Sequence, residues 1–122
     1  MTIHYQIGEK DTRHWGNWEI IDIGQNYIVK KITVYPHQTL SLQLHHHRNE
    51  HWIIVSGTVL VTIGDSQKTI SENTHLYIPK ETKHRLENPT DESICFIEIQ
   101  TGELLDETDI IRFEDIYGRC QP

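Results

Sequence analysis

Cysteine is almost missing from this chain of 122 residues: Cys95 and Cys120 stand alone, with no CxxC anywhere. Two such thiols make neither a disulfide framework nor a thiolate zinc site, and they fit a reducing compartment. Cys95, set in an apolar run, reads as a small buried strand residue. Long hydrophobic stretches are missing too. No run approaches the roughly 20 apolar residues of a membrane span. The opening Met-Thr-Ile-His-Tyr-Gln has neither the basic nor the apolar segment of a secretory leader. A cytoplasmic protein with no membrane partner is expected. Positive charge is short as well: 11 Lys and Arg against 18 Asp and Glu give a net charge of −7. That sign argues against a nucleic-acid partner, whose phosphates need a basic face. An anionic small molecule would need a metal ion or a local cluster of Arg and Lys. There is also no helix-period pattern of useful length, no repeat and no low-complexity segment.

What is present is a succession of short strand signals in one domain, residues 1–122. β-Branched and aromatic residues from Trp18 to Pro36, broken by Gly24-Gln25-Asn26, predict strands over 18–23 and 27–35. In the second, Ile28, Ile32 and Val34 share a face and Lys30 is the exception on it. Leu40, Leu42 and Leu44 alternate with Ser41, Gln43 and His45, which separates an apolar face from a face of donors. Past a break at Arg48-Asn49 come strands over 50–56 and 58–63, with Gly57 turning between them. Gly64-Asp65-Ser66 is a hairpin signal into 67–70. Pro79 stops a strand over 75–78 and Asn88-Pro89 one over 83–87; Ser93 to Gln100 is the last strong strand. The tail is acidic at first (Glu103, Asp106, Glu107, Asp109), then reads Ile-Arg-Phe-Glu-Asp-Ile-Tyr-Gly-Arg, with room for one short helical turn. About ten short strands at this spacing predict an all-β sandwich or barrel. Leu40, Leu42 and Leu44 need cover if they point away from the interior. A second subunit would supply it, or residues 1–35 folding over that face.

Histidine is the abundant residue. Five of the nine fall between positions 37 and 51, inside alternating apolar sequence. Gln43, His45 and Glu50 are nitrogen and oxygen donors of the kind a divalent metal takes, and His84 would complete a set of four. Gln43 and His45, two apart, project from one face of a strand with His47 next in phase; Glu50 opens the following strand. A competing set is His45, His47, His51 and His84. Any one of these residues alone is more simply a solvated or hydrogen-bonded side chain; the cluster is what points to a metal.

These residues carry a resemblance. Cupins share a first motif G-x5-H-x-H-x3-4-E-x6-G. Here His37 stands at its first glycine, Gln43 replaces its first histidine, and His45, Glu50 and Gly57 keep its spacing. Asn73, Pro79, Glu81, His84 and Asn88 match the second motif, with both glycines replaced. Arg-x-Trp-Gly-x-Trp at 13–18, Leu-Ser-Leu-Gln-x-His-His-His-Arg-x-Glu-His-Trp at 40–52, Tyr-Ile-Pro-x-x-Thr-Lys-His-Arg-Leu-Glu-Asn-Pro at 77–89 and Ile-x-Arg-Phe-Glu-Asp-x-Tyr-Gly-Arg at 110–119 narrow it further. As a set, spanning about 13–119, they resemble the type II mannose-6-phosphate isomerase cupins, which occur alone or fused behind a mannose-1-phosphate guanylyltransferase. One departure is His14, where that family usually has Pro.

The resemblance implies a cupin double-stranded β-helix, a jelly-roll barrel over about 13–100 with a tail at 101–122. It selects Gln43, His45, Glu50 and His84 as ligands of one divalent metal, zinc first, with cobalt, manganese or nickel as alternatives. Glu50 keeps the spacing, whereas His51 would face the other way. The implied activity is interconversion of mannose 6-phosphate and fructose 6-phosphate through an enediolate, feeding GDP-mannose and polysaccharide synthesis. His47 and Glu98 are the candidate bases. Arg48, Arg85, Arg112 and Arg119 are the phosphate-binding candidates, with Arg13 and Lys83 as further choices. Cupins of this kind are commonly dimers, so a homodimer is expected. A non-catalytic cupin that binds a sugar phosphate or nucleotide sugar beside a guanylyltransferase is the alternative. Guanylyl transfer by this chain itself is excluded by the lack of a Gly-rich phosphate loop.

Overall fold

The computed structural model describes residues 5–106 and 108–114. Their strands are β1 (Lys10–Arg13), β2 (Gly16–Ile23), β3 (Tyr27–Val34), β4 (Leu42–Leu44), β5 (Arg48–Ser56), β6 (Thr58–Ile63), β7 (Ser66–Ser71), β8 (His75–Ile78), β9 (His84–Glu87), β10 (Ile94–Gly102) and β11 (Ile111–Glu114). They form two antiparallel sheets, one ordered β1-β2-β3-β10-β5-β8 and the other β11-β4-β9-β6-β7. Inward side chains of both sheets meet in one core, the jelly-roll arrangement the strand spacing predicts. Trp52 on β5 and Phe96 on β10, with rings 5.1 Å apart, pack there beside Ile54, Ile20, Val61 and Leu86. Burying each such side chain is worth about 1.5–3 kcal/mol.

Two strands lie outside the predicted ones. β1 falls in a stretch read as irregular, because all four of its residues are exposed and leave no alternation to detect. It is fixed by pairing with β2, Lys10 opposite Glu19 and Arg13 opposite Gly16. β11 lies in the tail, whose described residues hold no helix; residues 107 and 115–122, where the short helical turn could also fall, lie outside them. Ile111 pairs with Leu44 and Arg112 with Gln43, so the tail closes the edge of β4 with backbone hydrogen bonds. No helix occurs among the described residues, and so none is long and apolar enough to cross a membrane. Of the leucine row, Leu40 packs against the core, and Leu42 and Leu44 are half-buried on the strand to which β11 pairs.

Turn geometry keeps the first motif's final glycine. Gly57 has φ 94°, and a Cβ there would lie 2.3 Å from Ile94 Cγ2. Where the motif glycines are replaced, the backbone conformation persists without them. His37, Asn73 and Glu81 have φ of 60°, 68° and 64°, the positive-φ non-glycine residues of the described chain.

Candidate metal centre

Strand β5 alternates between core and solvent, with Glu50, Trp52 and Ile54 buried and His51, Ile53 and Val55 exposed. That alternation carries Glu50 inward. His51 packs instead against Tyr77 of β8 on the outer face, ring centroids 4.8 Å apart. From the other sheet, His84 at the start of β9 sits directly opposite Gln43 of β4. His45 follows β4. His45, Glu50 and His84 are 2%, 1% and 1% exposed, and their donor atoms lie within 4.8 Å of one another. Among the described residues no other His, Cys, Asp or Glu joins them, so the set with His47 and His51 does not converge.

Each histidine is oriented through its other ring nitrogen. His45 Nδ1 donates to the Asp109 carbonyl at 2.6 Å and His84 Nδ1 to the Thr82 carbonyl at 2.8 Å. A carbonyl only accepts, so the neutral rings carry hydrogen on Nδ1 and turn the Nε2 lone pair inward. His45 Nε2 lies 3.1 Å from Glu50 Oε2, and His84 Nε2 lies 3.8 Å from Glu50 Oε1. His84 Nε2 is buried without a hydrogen-bond partner. Two imidazole lone pairs and a carboxylate converging out of water form a donor set for a divalent cation. The residues fit a metal ion. Arg48 constrains that fit: its Nε donates to Glu50 Oε2 at 2.9 Å, and its Nη2 lies 3.0 Å from His45 Nε2, the atom a metal would take. Trp52 Nε1 donates to Glu50 Oε1 at 2.9 Å.

Burial disfavours charge on Glu50, but the Arg48 guanidinium beside it outweighs that and the carboxyl is held well below its ordinary value. Burial pushes the His84 pKa down, against the pull of Glu50, so its lone pair is free near neutrality. Glu98, opposite Lys30 on β3 and Trp52 on β5, is pushed up to about 7 by burial and by the negative charge of Glu50. Gln100 Nε2 donates to its Oε2 at 2.8 Å.

Beside the centre is a cavity of about 510 Å³ into which Gln43, Arg48, Glu98, Arg13, Lys30 and Arg112 project, with aromatic walls from Tyr5, Trp15 and Trp18. Four cations and one carboxylate line it, in a chain of net charge −7; of the cations, Arg48 is paired with Glu50 at 2.9 Å and Arg13 with Asp11 at 3.1 Å. Of the expected residues, the structure brings Glu98, Arg48 and Arg112 to this space. His47 is absent from the lining, its amide held by Asp109. Arg85 is turned to Glu114 at 2.9 Å and does not reach the cavity. Arg119 lies outside the described residues. Lys30 and Asp109 were missed. Lys30 did leave a signal, as the charge on an apolar face; its Nζ lies 4.5 Å from the Tyr5 ring centre and 5.1 Å from that of Trp18. Asp109 looked like one more acidic residue in the tail.

A family described as "Mannose-6-phosphate isomerase C-terminal" matches residues 2–115. The chain belongs to this family. The xanthan biosynthesis protein XanB of Xanthomonas campestris pv. campestris is 55% identical over 107 residues, covering 88% of this chain and 23% of that protein. A mannose-1-phosphate guanylyltransferase of Escherichia coli is 49% identical over 115 residues, covering 94% and 24%. The alginate biosynthesis protein AlgA of Pseudomonas aeruginosa is 50% identical over 107 residues, covering 88% and 22%. The chain thus spans about a quarter of the length of the curated relatives it matches. Among solved structures, oxalate decarboxylase from Bacillus subtilis superposes with a TM-score of 0.76 at 16% identity, over 86% of this chain and 30% of that one. A cupin-2 domain protein of Rhodospirillum rubrum superposes at 0.72 with 15% identity, over 89% and 82%. At such identities the likeness shows the fold alone, and the fold of this family member is a cupin.

Proposed function

We propose that the chain is a metal-dependent sugar-phosphate isomerase interconverting mannose 6-phosphate and fructose 6-phosphate. The observation that carries the reading is the cation-lined cavity opening beside a buried His-Glu-His centre. Its volume suits one hexose phosphate, and its charge suits the phosphate. Arg112, Arg13 and Lys30 bind and orient that group, and the aromatic walls exclude water from the sugar. Glu98 is the base: it takes the C2 proton of the open-chain aldose and returns it to C1, through an enediolate whose charge develops on the two sugar oxygens. His47, outside the lining, is set aside in this role. A divalent ion held by His45, Glu50 and His84, with Gln43 as the fourth donor, would supply Lewis-acid polarisation of those oxygens when bound. Zinc suits these N/O donors, and cobalt, manganese and nickel are the alternatives to test.

The second reading is an accessory cupin that binds a sugar phosphate or nucleotide sugar without turning it over. The length of the relatives favours it, because one named as a guanylyltransferase carries about three-quarters of its chain outside the matched region. Turnover of mannose 6-phosphate, measured with zinc, cobalt, manganese or nickel added in turn, separates the two. Isomerisation with any of them supports the enzyme; binding without turnover in all four removes it. The homodimer is a separate part of the proposal, supported by Ile53, Val55 and Tyr77 exposed together on β5 and β8. Light scattering at micromolar concentration checks it, and a strict monomer removes it.

A further inference from the structure

We propose that Asp109, in the tail, is a positioning residue that sets the affinity and geometry of the metal centre. The inference rests on the metal-centre reading above and adds a residue that neither touches the metal nor lines the cavity. Asp109 binds the β4–β5 loop at three points. Its carbonyl accepts from His45 Nδ1 at 2.6 Å, fixing the tautomer that presents Nε2. Its carboxylate accepts the next two backbone amides, Oδ1 from His46 N–H at 2.8 Å and Oδ2 from His47 N–H at 2.9 Å. The residue is 7% exposed, so these bonds are poorly replaced by water.

The geometry explains why a carboxylate is required. Two adjacent N–H groups pointing the same way need two acceptor oxygens a fixed distance apart, which Asp provides and Asn does not, because its NH2 would face a donor. Holding those two amides fixes where the loop leaves β4, and with it the direction of the His45 ring. The tail is itself ordered to present the group. Leu105 is 1% exposed in the core, Asp106 Oδ1 accepts from Thr108 N–H at 2.9 Å, and the Asp109 amide donates to the Asp106 carbonyl at 3.0 Å. Asp109 thus does for His45 what the Thr82 carbonyl alone does for His84, and it ties that ligand to a segment more than sixty residues away. Partners that orient a ligating histidine typically change metal affinity by about 10–100-fold when lost.

The test uses the full chain, stripped with chelator and titrated with zinc and, separately, with cobalt(II), whose visible spectrum reports ligand geometry. Asp109→Asn should weaken metal binding about 10-fold and Asp109→Ala up to about 100-fold, both with an altered cobalt spectrum in folded protein. Ile94→Ala, a cavity in the core at the far end of β10, serves as the control for instability. It should lower the melting temperature and leave affinity and spectrum unchanged. His84→Ala tests the underlying reading. If it abolishes binding while the Asp109 variants keep wild-type affinity and spectrum, the Asp109 inference alone is overturned; if it binds metal as wild type does, the metal-centre reading falls and takes the inference with it. A loss of affinity in Ile94→Ala equal to that of Asp109→Asn would also overturn the inference, since loosening anywhere would then suffice.

Discussion

Among the described residues Glu50 is the one carboxylate at the metal centre, and its replacement by Gln gives a sharp test of how the site is held together without metal. In the wild type its two oxygens accept from Arg48 Nε and Trp52 Nε1, each at 2.9 Å, and its charge offsets an Arg48 side chain only 11% exposed. Glu50→Gln keeps shape but leaves one acceptor for two donors and strips the buried guanidinium of its counter-ion. Breaking a buried pair from one side costs about 3–5 kcal/mol, and the retained oxygen places this case near 3 kcal/mol. Urea unfolding in the presence of chelator at pH 7 measures it. The pH dependence follows from the depressed pKa. A carboxyl held below its ordinary value of 4.5 contributes stability that is fully present above 4.5 and is lost as pH falls through its value in the folded protein. Gln does not titrate, so the gap between the two proteins should be widest near neutrality and close in acid. A gap under about 1 kcal/mol at pH 7, or one that does not change down to pH 3, would refute the view that the Arg48–Glu50 pair anchors the centre.

Glu98→Gln should behave in the opposite sense. Its carboxyl is raised from 4.5 to about 7, so the wild type loses stability as pH rises across that window, and in chelator the variant should gain on it there by up to about 3 kcal/mol while losing at least ~100-fold in isomerase rate. Urea unfolding at pH 4.5 and 8, with an activity assay, checks both. Arg112→Ala should weaken mannose 6-phosphate binding about 10–100-fold by calorimetry, the worth of one charge-assisted hydrogen bond, whereas Arg85→Ala, whose guanidinium is engaged by Glu114, should stay within about 2-fold. Glu81→Gly should stabilise the protein by about 1 kcal/mol in thermal unfolding, because the left-handed conformation at φ 64° costs a side chain and not a glycine.

Legibility in the sequence follows the physics of each element. Where one face is buried and the other wet, as in β5, the period of two is written into the residues, and Glu50 could be told from His51 without coordinates. β1 is exposed on both faces and β11 is held by its pairing to β4, so neither carries a pattern, and they are the strands that go unpredicted. The same distinction divides the site. Donors at motif spacing are found by counting, whereas the Arg85–Glu114 pair depends on which face of β9 meets the tail, and nothing near Arg85 in the chain records that.

Lys30 and Glu98 show how the missing half of the site can be read from other cupin sequences. They are register partners on adjacent strands, and each interrupts an inward row that is otherwise mainly apolar: Ile28, Ile32 and Val34 around Lys30, Ile94 and Phe96 before Glu98. A charge in such a position must be solvated by a cavity or paired, because burying it bare in a core costs several kcal/mol. Two opposite charges that break neighbouring rows at the same register therefore predict a polar cavity between the strands and its depth along the barrel. Here that depth is one register step from Gln100 and Glu50, which face each other across β10 and β5. Glu50 and Glu98 thus lie on neighbouring same-face rungs of one sheet, with a spacing set by the strand geometry, whereas Gln43, His45 and His84 reach the centre from the other sheet and the loop after β4.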